Sequence, residues 1–151
     1  MLTWKTLTFD QLTNHQLYDL LQLRVDVFVV EQTCPYPELD DKDRAENVVH
    51  LLGYQDDQLV ACARLLPAGV SYPGVSIGRI ATKATARGHG LGHQLVKQAL
   101  TNIASLWPNT DIEIGAQAHL AEFYIQYDFV QTSEPYLEDD ILHIDMKRVA
   151  S

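Results

Sequence analysis

Residues 75–107, VSIGRIATKATARGHGLGHQLVKQALTNIASLW, constrain the fold more than any other stretch. Their second half is an amphipathic helix. Leu91, Leu95, Val96, Ala99, Leu100, Ile103, Leu106 and Trp107 recur at helical spacing, while His93, Gln94, Lys97, Gln98, Thr101, Asn102 and Ser105 fill the opposite face. Such a face packs most simply on a sheet, and Pro108 stops the helix. Between the preceding strand and this helix, Gly88, Gly90 and Gly92 alternate with His89 and Leu91. Glycine lets main-chain amides approach a ligand with no Cβ in the way. The first amides of a helix have no internal partner, and the helix dipole favours negative charge there. A strand, a bare turn and a helix N-terminus together make a phosphate site, and Arg87 at the lip adds a cation.

The ligand class is narrowed by what the turn lacks. A nucleotide triphosphate loop needs Gly-Lys-Ser/Thr, but Gly92 is followed by His93 and Gln94. A dinucleotide fingerprint needs a third glycine where His93 stands, and it normally opens a domain. The bland alternative is a turn that only lets the helix pack closely; Arg87-x-x-Gly90-x-Gly92, in this context, weighs against it.

The rest of the chain supplies the sheet. Residues 2–8 alternate loosely and read as a first strand, and Asp10 or Thr13 can cap a helix running to about residue 28. Leu17, Leu20, Leu21, Val25 and Phe28 form its expected stripe, which Arg24 interrupts, so that charge must reach an edge or find a partner. Residues 31–46 carry Pro35, Pro37 and six acids, and read either as a solvated loop or as a pocket wall that attracts an amine. Strands 48–54 and 59–66 form a hairpin, and 75–82 completes a meander. The helix crosses over to strand 111–117, which should run parallel to 75–82. Residues 118–127 read as a short helix, and 129–132 with 141–149 as a closing pair of strands. The expected order is β-α-β-β-β-α-β-α-β-β, a mixed α/β sheet in a single domain over 1–151.

A net charge of -9 argues against binding nucleic acid or an anionic membrane, since both reward basic surfaces. It suits a cationic small substrate. No apolar run reaches membrane-spanning length, and MLTWKTLTFD does not read as a signal peptide. Cys34 and Cys62 have neither metal nor disulfide spacing, which points to a reducing cytoplasm and no metal site. Covalent catalysis by either thiol is disfavoured, because no histidine partner is evident beside them.

The Arg87-x-x-Gly90-x-Gly92 turn resembles the pyrophosphate-binding motif of the GNAT family of N-acetyltransferases. AEFYIQYDFV, residues 121–130, resembles that family's second motif, with Tyr124 on the motif tyrosine and Asp128 in place of the usual glycine. RVDVFVVEQTCPYPELDDKD (24–43) and ACARLLP (61–67) look like the ElaA-type branch. The resemblance implies a splayed sheet and acetyl-CoA as co-substrate. It implies that acetyl passes by direct attack to the amine of a small molecule or peptide. The diphosphate would lie on Arg87, Gly88, His89, Gly90, Leu91, Gly92 and His93, with the two histidine side chains facing solvent. Pantetheine would pair with Ile80, Ala81 and Thr82, where a bulge opens the strand, and Gln117 would touch the cofactor. The resemblance also allows a homodimer through the C-terminal strands.

A phenol is protonated at neutral pH and can serve the departing sulfur, and the resemblance puts Tyr124 in that place as the thiol-side acid. The strand 75–82 lacks the glutamate that several family members use as base, and Ala84 replaces a proline often found after it. His50 titrates in the useful range and is the first candidate base, with Glu31, Glu113 and His143 as others. A non-catalytic CoA-binding sensor or interaction module is the rival reading, and a nucleotide-binding regulatory domain a third.

Overall fold

A computed structural model describes residues 2–150. The chain runs β1 (Leu2–Thr8), α1 (Asn14–Val25), β2 (Val49–Gln55), β3 (Gln58–Leu66), β4 (Val75–Thr82), α2 (Leu91–Leu106), β5 (Ile112–Gln117), α3 (Ala121–Ile125), β6 (Val130–Gln131), β7 (Tyr136–Glu138) and β8 (Ile141–Arg148). The strands form one sheet in the order β1-β2-β3-β4-β5-β8-β6, with β7 paired to β8. The expected mixed sheet is present, with one strand more than the sequence pattern predicts. β7 follows Pro135, is three residues long and turns into β8 through Asp139 and Asp140, both at positive φ. So short a strand carries no alternation to read.

Local chemistry sets most boundaries. Thr13 caps α1, accepting the Gln16 amide at 3.1 Å while the Gln16 side chain accepts the Thr13 amide at 2.9 Å. The helix then widens into a π-helical turn over Asp26–Glu31, in the valine-rich run where β-branched side chains crowd a regular helix. Its buried stripe is Leu20, Leu23, Arg24 and Val27 rather than the expected set. The helix is rotated because Arg24 has partners on the sheet side. The helical reading of 118–127 contracts to a 3₁₀ turn at Ala118–Leu120 and the short α3.

Two cores sandwich the sheet. On one face Leu95, Val96, Ala99 and Ile103 of α2 pack on Ala63 and Leu65 of β3, Ile77 of β4 and Ile114 of β5. On the other, Leu20, Leu23 and Val27 pack on Leu52, Cys62 and Ala81. β4 and β5 run parallel but pair only at Val75↔Ile112 and Ser76↔Glu113. Beyond those pairs they part, and a wedge opens towards the start of α2. In β4 the register against β3 shifts between Cys62 and Arg64, opposite Gly78–Ala81. Arg79, at φ 50, is the irregular residue of that bulge.

The acidic loop is solvated only in part: Glu31, Asp41 and Glu46 are exposed, while other acids turn inwards. Glu38 and Asp43 are buried, and their partners come from three elements. Arg24 of α1 donates from Nε to Glu38 at 2.7 Å and from Nη1 to Asp43 at 2.6 Å. Arg64 of β3 meets Asp40 at 2.8 Å and Asp43 at 3.0 Å. Arg79 of β4 meets Glu38 at 2.8 Å. Tyr36 donates a short hydrogen bond to the other Glu38 oxygen. Burial by itself would raise the Asp43 pKa, but the hydrogen bonds and charges of Arg24 and Arg64 outweigh it and hold the carboxyl below its ordinary value. Removing one partner leaves buried charge uncompensated. Arg24→Met should therefore cost about 3–5 kcal/mol, read as a lower urea midpoint; a loss below about 1 kcal/mol would show the cluster tolerates the gap.

Candidate active site

A cleft of about 480 Å³ lies on the sheet face that carries the acidic loop. Its floor is the parted pair β4 and β5, with Ser76, Gly78 and Ile80 on one side and Gly115 and Gln117 on the other. Its walls are the loop (Cys34, Tyr36, Asp40), Tyr72 from the β3–β4 connection, and the β7–β8 hairpin (Glu138, Asp139, His143). Leu120 and Tyr124 border the end where the strands diverge. Over Gly78 the nearest foreign atom to an added Cβ is Leu66 Cδ1 at 3.8 Å, so the floor is bare there.

The glycine turn lies outside this lining, at the N-terminus of α2. Gly88 and Gly90 have φ of 103 and 73, the left-handed region that disfavours any Cβ, and nothing lies within 4 Å of where a Cβ would be. Among the described residues nothing accepts a hydrogen bond from the amides of residues 88–93; the first helical bond is Gln94 to Gly90 at 3.0 Å. Unpaired amides, open space above them and the positive end of α2 fit a phosphate group.

Several expected site residues are arranged otherwise than their sequence suggests. Arg87 is not a free cation. Its guanidinium donates to Glu31 at 2.8 and 3.0 Å and to the Thr82 carbonyl at 2.8 Å, tying the end of the π turn to the end of β4. His93 does not face solvent as expected: it packs against Phe123 and hydrogen-bonds the Tyr127 hydroxyl at 2.6 Å. It joins α2 to α3 by shape and hydrogen bonding, which a helical wheel cannot display. His89 is exposed and Leu91 is buried in the α2 core. Of the strand residues, Ile80 reaches the cleft, Ala81 is buried against the α1 side, and Thr82 pairs with Ala61. The bulge falls at Arg79, just before the expected Ile80–Thr82.

Tyr124 is 6% exposed and stacks edge-on with Phe123 and Phe129. Burial pushes its phenol up to about 12, so it is a neutral donor at physiological pH. Cys62 is pushed up to about 12 by burial, and the Cys34 thiol is raised as well, by desolvation and then by Asp139 and Asp140. Both cysteines are free, and neither environment makes a nucleophile.

His50 is 1% exposed and is not among the residues lining the cleft. Its Nε2 is 2.8 Å from the Asp43 carbonyl, which can only accept, so Nε2 carries the proton. Nδ1 is buried without a partner. His50 therefore braces the loop beneath Arg24 and Arg64. Glu31 is spent on Arg87, and Glu113 accepts the Gly74 amide at 3.4 Å.

The sequence reading missed Arg64, Arg79, Tyr36, Tyr72 and Glu138. A charge inside an apolar strand was the available signal for Arg64, since it demands a buried partner. Tyr72 and Tyr136 both donate to Asp145 Oδ1, at 3.1 and 2.7 Å, and close one end of the cleft over Gly115. That triad joins three separate segments and leaves no local pattern. Among the described residues no group of three or more His, Cys, Asp or Glu could hold a metal, and no helix is long and apolar enough to cross a membrane.

Burial lowers the His50 pKa below its unfolded value, ahead of the opposing hydrogen bond to Asp43. Its contribution to stability is then complete above about pH 6.5 and is lost as pH falls, because the unfolded chain binds the proton first. Urea midpoints measured from pH 8 to 5 should fall more steeply for the wild type than for His50→Gln. Parallel profiles would mean that His50 charges as easily folded as unfolded.

The family profile described as acetyltransferase (GNAT) domain matches residues 19–150. The chain is 43% identical to Protein ElaA of Escherichia coli K12 over 148 residues, covering 98% of this chain and 97% of that protein. The crystal structure of E. coli ElaA superposes with a TM-score of 0.92 at 42% identity, covering 98% and 99% of the two chains. The structure of an acyl-CoA N-acyltransferase from Pseudomonas aeruginosa superposes with a TM-score of 0.95 at 47% identity, covering 99% and 100%.

Proposed function

Because this chain belongs to the GNAT acetyltransferase family, and is on that ground an acyltransferase, we propose that it moves acetyl from acetyl-CoA to the amine of a small molecule or peptide. The observation that carries the reading is the pairing of unpaired amides at residues 88–93 with the gap between β4 and β5. The amides hold the diphosphate, with Arg87 beside them. Pantetheine runs into the wedge along Ile80–Thr82 and past Gln117, where the bulge at Arg79 has turned the β4 backbone away from β3. The amine comes from the opposite side, through the cleft walled by the acidic loop and the β7–β8 hairpin. Two free cysteines suit work in the cytoplasm.

Tyr124 acts on the leaving sulfur, and its pKa decides how. A phenol near 12 is a far weaker acid than a thiol near 8.5, so full proton transfer to the thiolate runs uphill by roughly 5 kcal/mol. Its part is to donate a hydrogen bond to the sulfur as charge gathers there, in a site that excludes water. Attack on the carbonyl also needs a donor for the developing oxyanion, and a main-chain amide at the bulge supplies it.

Gly90→Val should weaken CoA binding at least about tenfold by calorimetry while the far-ultraviolet spectrum stays native; Gly69→Val, at φ 91, carries similar backbone strain outside the turn and should leave CoA affinity alone. Equal CoA affinity in Gly90→Val and wild type would remove the turn from the site. Tyr124→Phe should lower kcat by about 10–100-fold with little change in the KM for acetyl-CoA. Thiol release from acetyl-CoA with a panel of amines is the readout, and a full rate in the variant would take Tyr124 out of the mechanism.

A further inference from the structure

We propose that His143, with Glu138 beside it, receives the acceptor as a protonated amine and takes its proton. The inference rests on the acyl-transfer reading above and supplies the base that reading lacks. Of the six histidines, only His143 lines the cleft. It sits on β8 directly opposite Gln117, beyond the last β4–β5 pair, where the wedge is open.

The geometry determines which ring nitrogen is available. Nδ1 is 2.7 Å from the Ile141 carbonyl. A carbonyl oxygen only accepts, so Nδ1 carries the hydrogen, and in the neutral ring Nε2 holds the bare lone pair. Nε2 lies 3.7 Å from Glu138 Oε2, another cleft-lining group. Two acceptors thus face each other with no donor between them, an arrangement that repels until a donor arrives. A primary ammonium brings three N–H donors and a positive charge, and satisfies both. When the proton moves to Nε2, the carboxylate stabilises the imidazolium. The Glu138 side chain is 61% exposed, and the His143 side chain only 12%, so the proton has an exit to solvent and the base a dry place to work.

The neighbouring groups leave this pair to itself. The Tyr136 ring stacks on His143 with centroids 6.0 Å apart, and its hydroxyl is committed to Asp145. Cys34 donates to the Asp139 carbonyl at 3.3 Å. On the far wall Asp40 pairs with Arg64 and Arg79, whose remaining charge is taken up by Asp43 and Glu38.

In the step, Nε2 removes one proton from the ammonium. The freed nitrogen pair forms the C–N bond at the thioester carbonyl. The C–S pair leaves with sulfur as a thiolate, hydrogen-bonded by Tyr124, and a second N–H proton passes to water. One amide, one thiolate and two protons result, one proton on His143 and one in solvent.

The test uses acetyl-CoA with two acceptors that the wild type acetylates: a primary alkylamine, protonated at neutral pH, and a weakly basic amine such as an alkoxyamine, already unprotonated. His143→Gln should lose about 100-fold in kcat with the alkylamine and only a few-fold with the alkoxyamine. The acid limb of its kcat/KM profile should vanish, with the KM for acetyl-CoA unchanged. Glu138→Gln, at an exposed position, should raise the KM for the alkylamine several-fold and leave that for the alkoxyamine alone. Equal losses with both amines, or no loss in either variant, overturn the assignment while acyl transfer stands. Wild-type protein that neither binds CoA nor releases thiol with any amine overturns both.

Discussion

Three guanidiniums from α1, β3 and β4 converge on three carboxylates of one irregular loop, and the position of that loop follows from their mutual neutralisation. Burying charge costs several kcal/mol per ion unless partners and hydrogen bonds satisfy it. Arg24, Arg64 and Arg79 against Glu38, Asp40 and Asp43 sum to zero, and each arginine bonds more than one oxygen. These pairings tie down a proline-containing segment whose one regular piece is a 3₁₀ turn at Lys42–Arg44.

The same cluster reaches into the sheet. Arg79 is both a partner of Glu38 and the residue at positive φ in the β4 bulge. A non-glycine residue in that conformation costs about 1–3 kcal/mol, and the bonds from its guanidinium to the Glu38 carboxylate at 2.8 Å and carbonyl at 3.1 Å offset it. The loop therefore holds the bulge, and the bulge lies where β4 has already parted from β5. Wall, bulge and wedge are one mechanical unit, and the thioester end of the proposed reaction lies at its centre.

Two buried or half-buried groups then differ in kind. Tyr124, in an apolar aromatic cluster, is kept neutral by desolvation alone and so keeps a hydroxyl hydrogen to donate. His143 donates from Nδ1 to the Ile141 carbonyl, and in the neutral ring turns an acceptor, Nε2, towards the Glu138 carboxylate. In the proposed reaction, sulfur that gains charge would use the first, and an ammonium that loses a proton would use the second. That contrast arises from environment, which neither the motif around Tyr124 nor the neighbours of His143 along its strand display.

Much of the architecture could be read from the residues. The apolar face of 91–107, the three glycines before it and the alternation of 112–117 determine a strand, an open turn and a crossover helix, because those patterns are local and their periods differ. The motif around Tyr124 also drew attention to a residue that borders the cleft. What tertiary structure alone decided depends on contacts between distant segments. Arg24 turned inwards because Glu38 and Asp43, 14 and 19 residues away, came to meet it. Arg87 was claimed by Glu31, 56 residues away. His50 and His143 look alike as titratable side chains on strands, yet one is walled in beneath a loop and the other opens on the cleft. Sequence determines which faces are apolar and where the backbone is bare; only the folded chain decides which charges find each other, because electrostatic pairing acts through space and leaves no periodicity along the chain.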